Sequence, residues 1–368
     1  MMISYDPWDR EYEAYQSDYK KLFVKCMAKP LDGNVEFLEK NIEMFTGRYY
    51  AVACANATDA LYFAMVANDI GPGDEVLVTN FSWVSSATCI TRAGATPVFC
   101  DIDLDTYHLS FDSIKRMVSK QTKALVYTHL FGSMSDTREI EEWCKEHDIL
   151  FIEDAAQSVG SSLDGRKAGT LGDCSVYSFN ANKVIAGIAG GGMFLTNNEE
   201  MAMKVQSLRR HGKVGEQFVI PNGINSKMYL PNAEVINHRL GNLTTWQLKR
   251  QDLAKIYDAA FKKSPVFTQS QKPRSMLQHN YHKYVVRFED KETRDFVKQG
   301  CKSSGVFKPT IHYDMTISDN PVFDTIDYRK DDTPNAELAA ATVMSLPIHS
   351  FLEESEINKI IDVILGMI

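Results

Sequence analysis

Through its first two hundred residues the chain alternates short apolar words with longer stretches of helical spacing. No other feature limits the fold as strongly. Residues 49–54, 75–79, 96–101 and 124–128 are such words, and 149–153, 175–179 and 193–196 continue the series. Each is short, bounded by turn residues and rich in strand formers. Strands separated by helices imply an α/β fold with a mainly parallel central sheet flanked by helices. In such a sheet, groups at the carboxyl ends of the strands face the ligand crevice.

Two residues occupy such ends. Asp154 closes the run 149–153, and Lys183 follows the strand 175–179 through Asn180-Ala181-Asn182. A glycine-rich link, Gly187-Ile188-Ala189-Gly190-Gly191-Gly192, then enters the strand 193–196. A lysine after a strand is ordinarily a solvated loop residue, and a strand-end aspartate is ordinarily a turn former or helix cap. Together, at two strand ends, they suit a pyridoxal phosphate site. The lysine can form a Schiff base with the aldehyde, and the carboxylate can keep the ring nitrogen protonated so that the ring draws electrons.

At 368 residues and 44% apolar content the chain can bury a large core, and its length allows two domains. A net charge of −8 disfavours nucleic acid and anionic membrane as partners, since both call for basic surface. Seven cysteines (Cys26, Cys54, Cys89, Cys100, Cys144, Cys174 and Cys301) form no CxxC pair and no metal-spaced cluster, so no metal is expected. An odd, scattered set reads as reduced thiols of a cytoplasmic protein. The amino terminus has no basic start followed by an apolar core, and no run of eighteen apolar residues exists. The expectation is a soluble cytoplasmic protein without a signal peptide.

Taken in order, the chain opens with a polar, helix-prone segment of residues 1–45, in which Asn34 is a candidate helix cap and no chemistry is evident. Ala55-Asn56-Ala57-Thr58 forms a strand-to-helix turn of small residues, where free amides at a helix N-terminus suit a phosphate; Thr58 on its own reads as an N-cap. Trp83 follows the strand 75–79, at Asn80-Phe81-Ser82-Trp83. His129 follows the strand 124–128 and reads as structural. No GxGxxG follows the first strand and no GxxxxGK[ST] occurs, which disfavours a dinucleotide-binding dehydrogenase or a P-loop protein. His211 sits at a helix end, before a loop of residues 213–231. Residues 243–261 read as one long linking helix, and beyond Pro265 the composition changes to short strands and helices. Strands are expected at 282–288 and 310–313, and helices at 293–302, 337–344 and 353–367.

Three words, Glu153-Asp154-Ala155-Ala156-Gln157-Ser158, Ser178-Phe179-Asn180-Ala181-Asn182-Lys183 and Gly190-Gly191-Gly192-Met193, resemble the DegT/DnrJ/StrS family of nucleotide-sugar aminotransferases. The resemblance runs from about Asn56 to Leu346-Pro347-Ile348-His349. It implies the fold of the type I pyridoxal-phosphate-dependent transferases, with a large cofactor-binding domain over residues 1–242. A linking helix and a smaller α/β C-terminal domain would occupy 243–368. It implies Lys183 as the catalytic residue and cofactor anchor, Asp154 at the ring nitrogen and Gln157 at the ring oxygen. Trp83 would stack on the ring. Ser178 and the turn at Ala57 and Thr58 would hold the phosphate. Ala57 stands where the family usually has glycine. Ile236-Asn237-His238-Arg239-Leu240 resembles the family's Asn-x-Arg-Met word, which implies that Asn237 reaches across a homodimer interface to the partner's cofactor phosphate. His312 and Tyr313 match a word near the sugar site, and His211 lies in a loop that could reach it.

The implied reaction moves an amino group from glutamate to a keto sugar linked to a nucleoside diphosphate, in amino-sugar and polysaccharide (O-antigen, lipopolysaccharide) biosynthesis. The Asn-Ala-Asn-Lys wording is closer to members aminating C4 of a 4-keto-6-deoxy sugar than to those aminating C3. Ala186 stands where many members carry Thr, and Ile188-Ala189 where many carry Gly-Glu, so donor and acceptor stay open. The presence of Lys183 disfavours the sugar-deoxygenating relatives, which carry histidine there. The rival readings are a non-catalytic pyridoxal-phosphate-binding regulator and a lyase or decarboxylase of amino acids.

Overall fold

The computed structural model describes residues 2–29, 35–262, 264, 268–269 and 278–368. Asn34, the expected cap, and the stretch opening at Pro265 lie outside the described residues.

Seven strands of the central sheet come from the first two hundred residues: β1 (Tyr50–Cys54), β2 (Glu75–Thr79), β3 (Thr96–Cys100), β4 (Thr122–Thr128), β5 (Leu150–Asp154), β6 (Cys174–Ser178) and β7 (Gly192–Thr196). They lie in the order β1-β7-β6-β5-β4-β2-β3, and Arg329–Lys330 adds an eighth, parallel strand beside β3. All neighbours are parallel except β7, which is antiparallel to both β1 and β6. The expected mainly parallel α/β sheet is therefore present. Its strands are apolar throughout because both faces are buried. Along β5, Phe151 enters one core and Ile152 the other; along β2, Leu77 and Val78 divide the same way.

The reversal of β7 has a local use. It brings the first residue of that strand, Gly192, opposite Cys54 at the end of β1 and Ser178 at the end of β6. A Cβ there would stand 2.4 Å from the backbone carbon and oxygen of Asn56 and 2.6 Å from the amide nitrogen of Ala57. Glycine lets the two backbones meet.

A smaller antiparallel sheet joins Thr268–Gln269, Tyr284–Arg287 and Val343–Leu346. Its core is built from Tyr284, Val286, Val297, Ile357 and Ile360, with Leu253 and Tyr257 from the long helix. That helix runs unbroken over Leu230–Phe261, starting well before the expected position 243. Pro231 suits its first turn, and Ala233, Ile236 and Leu243 bury one face, so packing carries it through Gly241 and Asn242 despite their poor propensity. The expected helix 337–344 ends at Thr342, because Val343 and Met344 pair in the small sheet instead.

The amino-terminal segment folds back over both parts. Its helix, Trp8–Met27, lies along the long helix, where Arg239 binds Glu11 at 2.5 Å and Tyr15 donates to Asn242 at 3.1 Å. The Trp8 indole donates to the Ala181 carbonyl at 3.2 Å, and Arg10 pairs with Glu356 at 2.6 Å. Among the described residues no helix is long and apolar enough to cross a membrane, and no His/Cys/Asp/Glu cluster could hold a metal ion. All seven cysteines are free and buried.

Candidate active site

At the carboxyl ends of β1, β2, β5 and β6 the structure opens into a cavity of about 530 Å³. Asp154 and Lys183 both line it. Strand alternation explains the division of labour in the Glu153-Asp154 word. Glu153 points away and is fully buried. It accepts from the amides of Gly169 (2.9 Å) and Leu171 (2.8 Å) and from the Ser175 hydroxyl (2.7 Å), with His129 Nε2 at 3.1 Å. Arg48 closes this network by donating to Ser175 at 3.1 Å and to the Leu171 carbonyl at 2.6 Å. Glu153 and His129 thus anchor the loop behind the sheet, and His129 does not line the cavity.

Asp154 faces the other way, into the site. Its carboxylate accepts from the Ala156 amide at 3.1 Å and from the hydroxyls of Ser86 (3.3 Å) and Thr128 (3.4 Å). Burial pushes the Asp154 carboxyl up, against the pull of these donors and of the Lys183 charge. Burial also lowers the Lys183 ammonium to about 8, with Asp154 opposing. A buried acid and a half-buried amine on one cavity are the kind of perturbed pair that marks reactive sites.

The phosphate end is built by the helix Ala57–Val66. Its cap is Asn56, not Thr58: the Asn56 side chain accepts from the Asp59 amide at 2.7 Å. The first amides of a helix have no acceptor within it. With Asn56 taken by Asp59, those of Ala57 and Thr58 are left to face the cavity that both residues line. The turn is braced from behind, where Asp59 binds Arg92 at 2.7 Å and accepts from Ser226 at 2.8 Å. Ser178, at the end of β6, completes this side.

Trp83 lies on the cavity wall and is 59% exposed; the helix after it begins only at Ser85. Gln157 is held in place by two bonds. Its Oε1 accepts from the Phe131 amide at 2.9 Å, and its Nε2 donates to the Tyr313 hydroxyl at 3.0 Å. Tyr313 and His312 form the far wall. Two expected site residues lie elsewhere. Asn237 sits inside the long helix, accepting from the Asn41 side chain, so it is neither a cap nor a turn residue. His211 is exposed in a turn at φ 61°. Neither lines this cavity in its own chain.

Two cavity-wall groups, and one residue bonded to that wall, had no role assigned from the sequence. Tyr5, from the segment read as free of chemistry, bonds His312 Nε2 through its hydroxyl at 3.0 Å. His282 and Lys283 line the cavity at the entry to the small sheet. Lys283 stood inside an apolar alternating word, which was its one legible signal.

Pyridoxal phosphate fits this set. The free amides of Ala57 and Thr58 and the side-chain-less Gly192 make a cradle for a phosphate, with a buried carboxylate and a half-buried amine on the same cavity. The chain matches the model of the DegT/DnrJ/EryC1/StrS aminotransferase family over residues 31–365. It is 32% identical, over 331 residues, to the UDP-2-acetamido-2-deoxy-3-oxo-D-glucuronate aminotransferase of Pseudomonas aeruginosa, covering 90% of this chain and 89% of that protein. It is 30% identical, over 356 residues, to a pleiotropic regulatory protein of Geobacillus stearothermophilus, covering 96% and 95%. The solved structure of DesV from S. venezuelae superposes with a TM-score of 0.93 at 25% identity, covering 99% of this chain and 98% of that one. The chain therefore belongs to the DegT/DnrJ/EryC1/StrS aminotransferase family and is a pyridoxal-phosphate-dependent aminotransferase.

Proposed function

We propose that the enzyme transfers the amino group of L-glutamate to the keto group of a nucleotide-linked sugar, in first place C4 of a 4-keto-6-deoxyhexose. The observation that carries amino transfer is that Lys183 and Asp154 line one cavity together with the first residues of a helix, Ala57 and Thr58. The choice of C4 rests on the Asn180-Ala181-Asn182-Lys183 wording. The Pseudomonas relative, named for a 3-oxo sugar nucleotide, favours C3 as the second reading. The name of the Geobacillus relative favours a regulator, a reading that requires no turnover.

When bound, pyridoxal phosphate supplies an aldehyde that takes up the amine and a ring that accepts electrons. The chain's own residues do the rest. Ala57 and Thr58 bind the phosphate through their amides, and Ser178 through its hydroxyl. Trp83 would lie against the ring, and Gln157, held by the Phe131 amide, would meet the ring oxygen. Asp154, fed by Ser86 and Thr128, holds negative charge at the ring nitrogen. Lys183 would hold the aldehyde and supply the amine that can take a proton at the donor's α-carbon. An amine lowered to about 8 has an appreciable neutral fraction near neutral pH, as a general base requires.

The working form is a homodimer. Asn237 and His211, both outside the cavity of their own chain, serve the partner's phosphate and sugar sites. An exposed apolar surface with Trp8, Tyr12, Phe23 and Ile188 beside the site supports that association. Incubating the purified enzyme with glutamate and a panel of 4-keto and 3-keto nucleotide sugars, with products read by mass, tests the reading. Amination of a 4-keto sugar is expected; conversion of none would refute amino transfer to sugars.

A further inference from the structure

Lys283 is 5% exposed and lies on the cavity wall, yet among the described residues no Asp or Glu stands within ion-pair distance of its Nζ. Buried lysines without a partner are rare, because the charge loses its hydration and gains nothing in return. It has an aromatic neighbour: the Nζ stands 4.7 Å from the centroid of the Tyr5 ring. The Tyr5 hydroxyl is turned to His312. Lys283 is fixed from behind, since its amide donates to the Phe131 carbonyl at 3.1 Å. Two residues on, Val285 packs with Phe81, Phe131 and Tyr313 beside the site.

The charges facing it are mostly positive. Lys183 and Arg250 both push its proton off, and Asp6 alone pulls the other way, so burial and its neighbours bring it down to about 7. Arg250 is committed to the carbonyls of Tyr281 (2.9 Å) and Ile348 (2.8 Å). Burial keeps His282 and His312 neutral. This wall therefore holds a buried amine without an ion-pair partner among the described residues, within electrostatic reach of the amine that receives the substrate.

We propose that Lys283 is a specificity residue that binds a substrate carboxylate, in first place the α-carboxylate of the amino donor. The assignment rests on the amino-transfer reading above. An amino acid carries its carboxylate on the same carbon as its amine, so a donor placed at Lys183 must bring a negative charge into this corner. A charge-assisted hydrogen bond to Lys283 gives that charge a partner in a water-poor site, where such bonds are strongest. A uronic-acid acceptor offers the same group from the sugar side.

The test compares the cofactor-loaded wild type with Lys283→Met and Lys283→Arg. Calorimetric titrations use 2-oxoglutarate, a neutral keto-sugar nucleotide and a uronate-bearing one. Lys283→Met should weaken 2-oxoglutarate by about tenfold or more, the least that one charge-assisted bond contributes, while Lys283→Arg stays within about threefold. The neutral nucleotide should stay within about twofold in both variants. Selective weakening of the uronate nucleotide alone would place the carboxylate on the acceptor and still support the assignment. Equal affinities in wild type and Lys283→Met for both carboxylates, or no binding of either by the wild type, overturn it. If Lys283→Met fails to fold, Lys283→Gln provides the comparison. The cofactor's absorbance change with glutamate judges amino transfer separately, because the titrations require no turnover.

Discussion

Acidification should unfold this protein through its buried histidines. Burial lowers His279, His312 and His349 to about 3, and holds His108 and His282 well below their ordinary value of 6.5. Above the ordinary value both folded and unfolded chains leave these rings neutral, and they contribute no pH dependence. Below it the unfolded chain takes up protons that the folded chain refuses, so stability falls as pH falls. Asp101 and Asp154, which burial pushes up, act in the opposite sense and offset at most two of the five protons. Lys183 and Lys283, at about 8 and about 7, are already charged in both states by pH 6 or so and add no slope there. Three net protons at about 1.4 kcal/mol each per pH unit give a loss of about 4 kcal/mol between roughly pH 6 and 5. That is a large part of the roughly 5–15 kcal/mol a folded chain has. Urea unfolding followed by circular dichroism across this interval measures it. His279 stacks on Tyr281 with ring centroids 4.2 Å apart, and its Nδ1 accepts the Tyr281 amide at 2.9 Å. His279→Asn keeps an acceptor without the titration and should remove about 1.4 kcal/mol of the loss. A wild-type loss below about 1 kcal/mol would refute the reasoning.

Three further outcomes follow from particular contacts. Lys183→Ala should abolish turnover and borohydride trapping of the cofactor while leaving the urea midpoint in place; full activity in that variant would sink the assigned role. Gly192→Ala forces a methyl against the backbone of Asn56 and Ala57, and should cost about 1–3 kcal/mol and loosen cofactor retention on dialysis. Glu153→Ala leaves the buried amides of Gly169 and Leu171 and the Ser175 hydroxyl without this acceptor, and should cost about 3–5 kcal/mol in thermal or urea unfolding, far more than a surface carboxylate.

The sheet was legible because its strands are buried on both faces and so read as unbroken apolar words, with Asp154 and Ser178 left at their ends. The phosphate turn was legible from its small residues, although its cap fell on Asn56, two residues before Thr58. The long helix was half hidden. Asn237, Gly241 and Asn242 have poor propensity, and only packing of Ala233 and Ile236 into the core carries the helix through them. Tyr5 gave no signal at all, since its role depends on His312, some three hundred residues away. Lys283 was placed only within an expected strand at 282–288, because the sequence alone does not show which of its residues meets a cavity.

The helix Leu230–Phe261 is a single rod of 32 residues, roughly 48 Å from end to end. Its early turns pack into the core beneath the large sheet and its late turns into the core of the small one. Such a spar transmits torque rather than absorbing it, so the two halves cannot swing freely about a loose joint. Any tightening around a bound sugar must flex the spar or come from lighter pieces, and the amino-terminal arm, with Tyr5 and Trp8 resting on the rim of the site, is the piece best placed to move.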